Sequence, residues 1–258
     1  MTNHGDIIAD SWSGLRQFTT ARIALGRAGG SAPTTELLKF RYDHALARDA
    51  VHAPFDAELV ASQLEPCGLP VLQIGTQAAS TDEFLRRPDL GRQLDAESRC
   101  VLENVESGCD LVLIVSNGLS AVAAHRHAAP LLNMLVPKLV EEQWRIAPLV
   151  IAHNARVALQ DQVGGVLQTG WAVMLLGERP GLGAADSLGA YLVHQPQARR
   201  TDADRNCVSN IHAAGLAIPD AVETLHYLLH QSRLRRISGV ELKDERVGLS
   251  QGSVERLS

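Results

Sequence analysis

The chain has 258 residues, of which 45% are hydrophobic and 21% charged, and its formal net charge is −5. This length and composition are sufficient to bury an apolar core, which excludes an intrinsically disordered protein. The mildly acidic charge and an aromatic content of 4% disfavour nucleic acid as a partner, because phosphate backbones attract basic surfaces and bases stack on aromatic rings.

The beginning of the chain and its cysteines indicate a cytoplasmic protein. The first residues, MTNHGDII, lack the basic and apolar segments of a secretory signal. Apolar runs such as 111–115 and 171–176 are far shorter than the roughly 20 residues of a membrane span, so no membrane partner is expected. No C-x-x-C pair occurs, which disfavours a zinc site or a disulfide framework; the thiols to consider are Cys67, Cys100, Cys109 and Cys207.

The first hundred residues predict short helices separated by turns. The segment 34–51 has apolar residues at helical spacing. Ser80 and Glu83 form an S-x-x-E capping box for a brief helix, and Asp95 can cap another. We therefore expect a mainly helical N-terminal region over residues 1–108.

The pattern changes in residues 109–258, which we interpret as a second region. The segments 110–115, 148–152 and 171–176 are continuous apolar runs. Such runs are typical of strands that are buried on both faces of a sheet. A shorter strand is predicted at 190–193.

Helical segments separate these strands. The first extends to about Gln143 and is expected to break or kink near Pro130 and Pro137. The second covers 158–169, and the last begins at Pro219. This alternation predicts parallel strand pairing through right-handed crossovers. The expected fold is therefore α/β: an open, mostly parallel Rossmann-like sheet with helices on both faces.

Ligands of open α/β sheets bind outside the carboxyl ends of the strands. The candidate site segments are therefore 116–120, 153–157 and 177–183. The glycines of the last segment would let the backbone approach a ligand, and Glu178 can accept hydrogen bonds, although a structural turn fits equally well. The sequence contains neither a P-loop nor G-x-G-x-x-G, so the usual nucleotide fingerprints are missing.

Two histidine arrangements suggest metal ligands but fit other roles better. Segment 210–215, NIHAAG, is similar to D-x-H-x-x-G, in which histidine ligates the cobalt of cobalamin. Asn210 replaces the aspartate that would orient the imidazole, so a loop histidine is the better interpretation of His212. His226 and His230 share a helix face without the glutamate of H-E-x-x-H, which favours a polar helix face. No catalytic set or metal site is predicted.

Five segments, taken in chain order, resemble one known family. They are TARIALGRAG at 20–29, RPDLGR at 87–92, VSNGLS at 115–120, GERPGLG at 177–183 and DRNCVSNIH at 204–212. Together they are similar to the small (light) subunit of ethanolamine ammonia-lyase, and the resemblance extends over about residues 16–240. Asn117 departs from it, since the family usually has aspartate there.

The resemblance implies a subunit of an adenosylcobalamin-dependent lyase that converts ethanolamine to acetaldehyde and ammonia. The expected partner is the large subunit, a TIM barrel that holds the substrate and the radical chemistry, in a higher hetero-oligomer. Carried over to this chain, Val157, Glu178 and Cys207 become cobalamin contacts, while no catalytic residue or metal ligand is implied. The implied location is the cytoplasm, with a bacterial microcompartment as a narrower possibility.

Two other interpretations stay open at this point. One is a stand-alone α/β enzyme or nucleotide-binding protein, which would be active or bind its ligand as an isolated chain. The other is a purely structural partner subunit, in which the loop at 177–183 contacts protein instead of cofactor. Sequence alone does not separate the structural subunit from a cofactor-binding one.

Overall fold

A computed structural model describes residues 7–19 and 21–246. The last twelve positions of the predicted second region lie outside the described residues, as does Thr20 in the first family-like segment. The strands of the described part are β1 (Val71–Ile74), β2 (Leu111–Ser116), β3 (Leu149–Ala152), β4 (Trp171–Gly177), β5 (Leu188–His194) and β6 (Arg205–Ile211). Its α-helices are α1 (Thr34–His52), α2 (Ala57–Leu64), α3 (Thr81–Arg86), α4 (Ala96–Glu103), α5 (Ala121–Ala123), α6 (Ala129–Glu141), α7 (Leu159–Val166) and α8 (Ile218–Arg235).

The strands form one sheet in the order β1-β3-β2-β4-β5-β6. The first four strands in that order are parallel to one another. Strand β5 pairs antiparallel with β4, and β6 pairs antiparallel with β5. Helical crossovers connect β1, β2, β3 and β4, which permits parallel pairing, whereas the helix-free connection from β4 to β5 returns the chain antiparallel. The predicted open, mostly parallel sheet is confirmed.

Two apolar clusters cover the two faces of the sheet. Leu111, Leu113 and Val115 of β2 belong to the cluster that includes α2, α6 and α8. The alternate residues Val112 and Ile114 belong to the cluster that includes α4 and α7. Because successive side chains of a strand point to opposite faces, both faces of β2 are buried, which explains its unbroken apolar run. Helices on both faces are therefore confirmed.

The helical N-terminal region is confirmed, with its predicted caps. The Ser80 hydroxyl accepts from Glu83 N at 3.2 Å, and the Asp95 carboxylate accepts from Ser98 N at 2.6 Å. Among the residues described, no helix combines the length and the apolar character that crossing a bilayer requires.

Two strands of the sheet were not predicted. Strand β1 lies within the mainly helical region and pairs with β3, with Val71 opposite Leu149. It has only four residues, too few for a clear periodic pattern. Strand β6 is an edge strand on which exposed Cys207 and Ser209 alternate with covered positions. The boundary at residue 108 stays a prediction, and β1 pairs across it.

The two prolines in the long helical segment after β2 occupy different positions. The chain forms a π-helical turn at Ala124–Ala128 directly before Pro130, which occupies the first turn of α6. A proline is tolerated there because its missing N–H would have no helical partner. Pro137 lies within α6 on its exposed side and does not end it. The helix therefore does not break at Pro137, and the alternative of a kink there stays a prediction.

Candidate functional site

The carboxyl ends of β2 and β3 form the switch point of the sheet. The helices α5 and α6 that follow β2 pack on one face, whereas α7 after β3 packs on the other, the arrangement that opens a crevice. An amide pair closes this crevice: Asn154 N donates to Asn117 Oδ1 at 2.8 Å, and Asn117 Nδ2 donates to Asn154 Oδ1 at 3.2 Å. An aspartate at 117 could not make the second bond, so Asn117 suits this contact.

Gly177 ends β4 and packs against the turn that follows β2. Leu119 N donates to the Gly177 carbonyl at 2.9 Å. A Cβ atom at position 177 would collide with the carbonyl oxygens of Asn117 and Ser120. This glycine therefore serves a close approach of two chain segments, whereas Gly183 in the same loop has open space around its Cβ position.

The Glu178 carboxylate ties the end of β4 to β5 and β6. Oε2 accepts from Ser187 Oγ at 2.6 Å and from Asn210 N at 3.2 Å, while Oε1 accepts from Ser209 Oγ at 2.7 Å. A carboxylate offers about four acceptor positions. Oε1 therefore keeps one acceptor position beyond its bond with Ser209.

Cys207 lies on the same sheet face as this carboxylate. It is opposite Tyr191 in the pairing of β5 and β6. The Glu178 carboxylate and the Tyr191 ring both lie against Gly189, where a Cβ would crowd both groups. Partial burial raises the pKa of the Cys207 thiol, the Tyr191 hydrogen bond lowers it, and the Glu178 charge raises it. The net increase keeps the thiol neutral at pH 7, which suits packing better than thiolate chemistry.

Val157 lies in the segment between β3 and α7. It is half-buried and packs against the same apolar cluster as Tyr191, so it lies on the same sheet face as Cys207. The preceding Arg156 is close enough to Arg179, next to Glu178, for the two charges to repel. The structure thus brings Glu178 and Cys207 together around Tyr191 and places Val157 on their face of the sheet.

A buried ion pair that sequence reasoning missed connects the Val157 and Cys207 segments. Arg205 of β6 bonds the carboxylate of Asp161 on α7, and both side chains are at most 4% exposed. The Gln160 amide, oriented so that both ends are satisfied, donates to the Tyr191 carbonyl at 2.9 Å and accepts from Arg205 Nε at 3.3 Å. These polar contacts fix α7 against β5 and β6. Arg205 lies within a family-like segment, but its pairing with Asp161 spans 44 positions.

The burial of the Asp161 carboxyl group predicts that the stability of the chain depends on pH. Burial raises its pKa from 3.8 to about 6, although the Arg205 charge lowers it. Between these values the folded chain binds more protons than the unfolded chain, so this contribution to stability is lost as the pH rises. From pH 4 to pH 7 the native chain should lose up to about 3 kcal/mol relative to Asp161→Asn.

Urea unfolding of both proteins at several pH values measures this difference, and groups common to both cancel. A native chain that instead gains stability relative to Asp161→Asn as the pH rises would show that the ion pair outweighs the cost of burial.

His212 closes the turn between β6 and α8. Its Nε2 atom bonds Asn210 Oδ1 at 2.8 Å, and its Nδ1 atom accepts from Ala214 N at 3.3 Å. Both ring nitrogens therefore have partners within the turn. Gly215 leaves room for this ring, because a Cβ there would meet Nε2 at 2.6 Å. These contacts show that the NIHAAG segment at 210–215 forms a turn that His212 stabilises.

Comparisons with known proteins identify the family of this chain. Residues 9–243 match the family model of the ethanolamine ammonia-lyase light chain (EutC). A relative from Bradyrhizobium diazoefficiens, the ethanolamine ammonia-lyase small subunit, is 50% identical over 90% of this chain and 89% of its own length. Proteins with the same description from Rhodopseudomonas palustris and Azotobacter vinelandii are 47% and 44% identical, over 90% and 95% of this chain and 89% and 92% of theirs. The chain belongs to the family of ethanolamine ammonia-lyase small subunits.

Proposed function

We propose that this chain supplies one wall of the adenosylcobalamin site in an ethanolamine ammonia-lyase complex. In this proposal the large subunit, a TIM barrel, carries the substrate and the radical deamination of ethanolamine to acetaldehyde and ammonia. The small subunit contributes no catalytic residue and no metal ligand. The complex is a higher hetero-oligomer in the cytoplasm, and the family resemblance suggests a bacterial microcompartment as its narrower location.

One observation carries the cofactor proposal: on the partly open face of β5 and β6, small groups and one oriented carboxylate surround Tyr191. Cys207 and Ser209 are exposed on it, and Gly189 lies beneath the Glu178 carboxylate. Small side chains let a broad, rigid ligand approach the sheet closely. The amide side chains of a corrin ring are hydrogen-bond donors, and Glu178 Oε1 retains an acceptor position for one of them. The residues present therefore fit the group.

The contributions of this chain are binding, orientation and exclusion of water. Adenosylcobalamin supplies the radical that starts the reaction, so the protein has to hold and shield the cofactor. Glu178 would orient a corrin amide, and Cys207 would pack against the ring as a small neutral thiol. The Asp161–Arg205 pair keeps the two segments that bear Val157 and Cys207 in a fixed relation.

The N-terminal region supports the proposal of a large partner. Its apolar side chains include Trp12 and Phe18, which are 67% and 79% exposed, and α1 exposes Leu38 and Phe40. Exposed apolar surfaces of this kind are typical of protein interfaces. The relatives' description as small subunits agrees with a large-subunit partner.

Glu178→Gln should weaken cobalamin binding by about tenfold, within the range for one lost hydrogen bond to a charged group. The remaining carbonyl oxygen can still accept from Ser187 and Asn210, and the new amide can donate to Ser209. The internal contacts therefore persist while the charge and the free acceptor disappear. Cys207→Trp should block cofactor binding by bulk. The measurement is a cobalamin titration of the reconstituted two-subunit complex, followed in the visible spectrum.

Cys100→Trp is the matched control, because Cys100 is an exposed cysteine on α4, which packs near β1 at the opposite edge of the sheet from β6. It should leave cobalamin affinity unchanged. Unchanged affinity in both Glu178→Gln and Cys207→Trp, with normal assembly, would leave a purely structural subunit as the better proposal. Ethanolamine turnover by this chain without its partner would instead favour a stand-alone enzyme.

A further inference from the structure

A cavity of about 550 Å³ lies between α1 and the loops at the carboxyl ends of the strands. Its lining includes Arg48, Arg156 and Arg179, and none of its lining residues is acidic. The Nη2 atom of Arg48 lies 3.5 Å from the carboxylate of Asp49, which is not part of the cavity lining. Two positive charges, those of Arg156 and Arg179, therefore face the cavity without an acidic partner in its lining.

The Arg156 guanidinium is held in place by Phe84. The guanidinium lies 4.2 Å from the centre of the Phe84 ring, and its Nη2 atom donates to the Phe84 carbonyl at 3.3 Å. The Nε atom is buried and has no hydrogen-bond partner among the described residues. Because this atom is buried, an acceptor in the cavity would bond the accessible part of the guanidinium, since Arg156 lines the cavity.

The positive charges around Arg156 indicate that a ligand in the cavity would be an anion. Burial lowers the pKa of Arg156, and the positive charges of Arg179 and Arg92 lower it further. An anion in the cavity would relieve this repulsion. A guanidinium binds oxyanions through two parallel hydrogen bonds, which needs the fixed plane that Phe84 gives Arg156.

The remaining walls would suit a ligand with an apolar part. Leu85, Leu119 and Leu182 line the cavity beside the arginines. A cavity of this size accommodates a small organic molecule. A tetrahedral phosphate group presents charged oxygens in different directions, so that one phosphate can accept from both Arg156 and Arg179.

We propose that this cavity binds a phosphate group on an apolar body, with Arg156 and Arg179 as the phosphate ligands. This phosphate chemistry stands independently of the cofactor proposal. Two sources can supply it: a free organic phosphate, or the single phosphodiester of the cobalamin nucleotide loop.

The first arm of the test titrates the full chain alone with phenyl phosphate, inorganic phosphate and benzoate, by calorimetry. Phenyl phosphate should bind several-fold more tightly than inorganic phosphate because of the apolar wall, and more tightly than benzoate because of its charge. Arg156→Gln and Arg179→Gln should each weaken phenyl phosphate binding by about tenfold or more. Arg179 is exposed, so its variant remains informative if Arg156→Gln folds poorly.

Arg235→Gln is the control, because Arg235 lies at the end of α8, outside the cavity, and pairs with Glu245. It should bind phenyl phosphate as the native chain does. The second arm compares cobalamin with cobinamide, which lacks the nucleotide loop, in the two-subunit complex. If Arg179→Gln binds cobalamin more weakly than the native complex does but binds cobinamide equally well, the phosphodiester is the source. If its affinity for cobalamin and for cobinamide is unchanged, the source is a free phosphate.

Two results would overturn the proposal. The first is no saturable binding of phenyl phosphate by the native chain, or equal binding by the native chain and both arginine variants. The second is loss of assembly with the large subunit at unchanged phosphate binding, which would assign the arginines to a carboxylate of the partner. The first is read from phosphate binding and the second from phosphate binding together with assembly, so failure of the cobalamin titration leaves this test intact.

Discussion

Arg205→Met is expected to lower the free energy of unfolding by about 3–5 kcal/mol at pH 7.5, the range for breaking a buried ion pair. The substitution leaves the buried Asp161 carboxylate without its counter-charge. It also removes the donor that reaches the carbonyl of Thr201 and the amide of Gln160. Methionine has nearly the length of the arginine stem, so the loss reports mainly on charge and hydrogen bonding. Urea unfolding followed by circular dichroism measures it.

The double variant Asp161→Leu with Arg205→Met should recover more than half of that loss. Replacing both members of a buried ion pair with apolar side chains is often nearly neutral, because no unpaired charge remains. Single and double variants together form a cycle that isolates the coupling between the two sites. Purely additive effects of the two substitutions would contradict a direct interaction between α7 and β6.

Gly177→Ala is expected to destabilise the fold by about 3 kcal/mol, at the upper end for overpacking. The added methyl group would meet backbone carbonyls of the turn after β2, which cannot rotate away as a side chain can. Either the turn or the end of β4 must move, and Glu178 follows directly. Cobalamin affinity should therefore fall together with stability. Thermal unfolding and the cobalamin titration measure the two effects.

Gly183→Ala provides the comparison within the same loop, since nothing lies within 4 Å of its Cβ position. It should change neither stability nor cobalamin affinity appreciably. Equal behaviour of the two alanine variants would show that the contact at Gly177 does not constrain the loop.

The sequence by itself predicts the parts of this fold that depend on local patterns. The strands β2, β3 and β4 are continuous apolar runs because both of their faces are buried. Ser80 and Asp95 mark helix starts because capping is a contact over three residues. The position of candidate site residues at strand ends follows from the chain order of strands and helices, and the family resemblance adds the roles of Val157, Glu178 and Cys207.

The tertiary structure alone decides which distant residues meet. Strand β1 is too short to be distinguished by periodicity, and its pairing with β3 gives it strand geometry. The glycine at 177 is compatible with a ligand loop or a turn until the segment at Asn117–Ser120 is seen to pack against it. The Asp161–Arg205 pair, and an Arg156 Nε atom without a partner among the residues described, likewise arise where the fold brings separate segments together. Local propensity acts over a few residues, whereas charge pairing and backbone collisions depend on distances in space that the sequence does not encode locally.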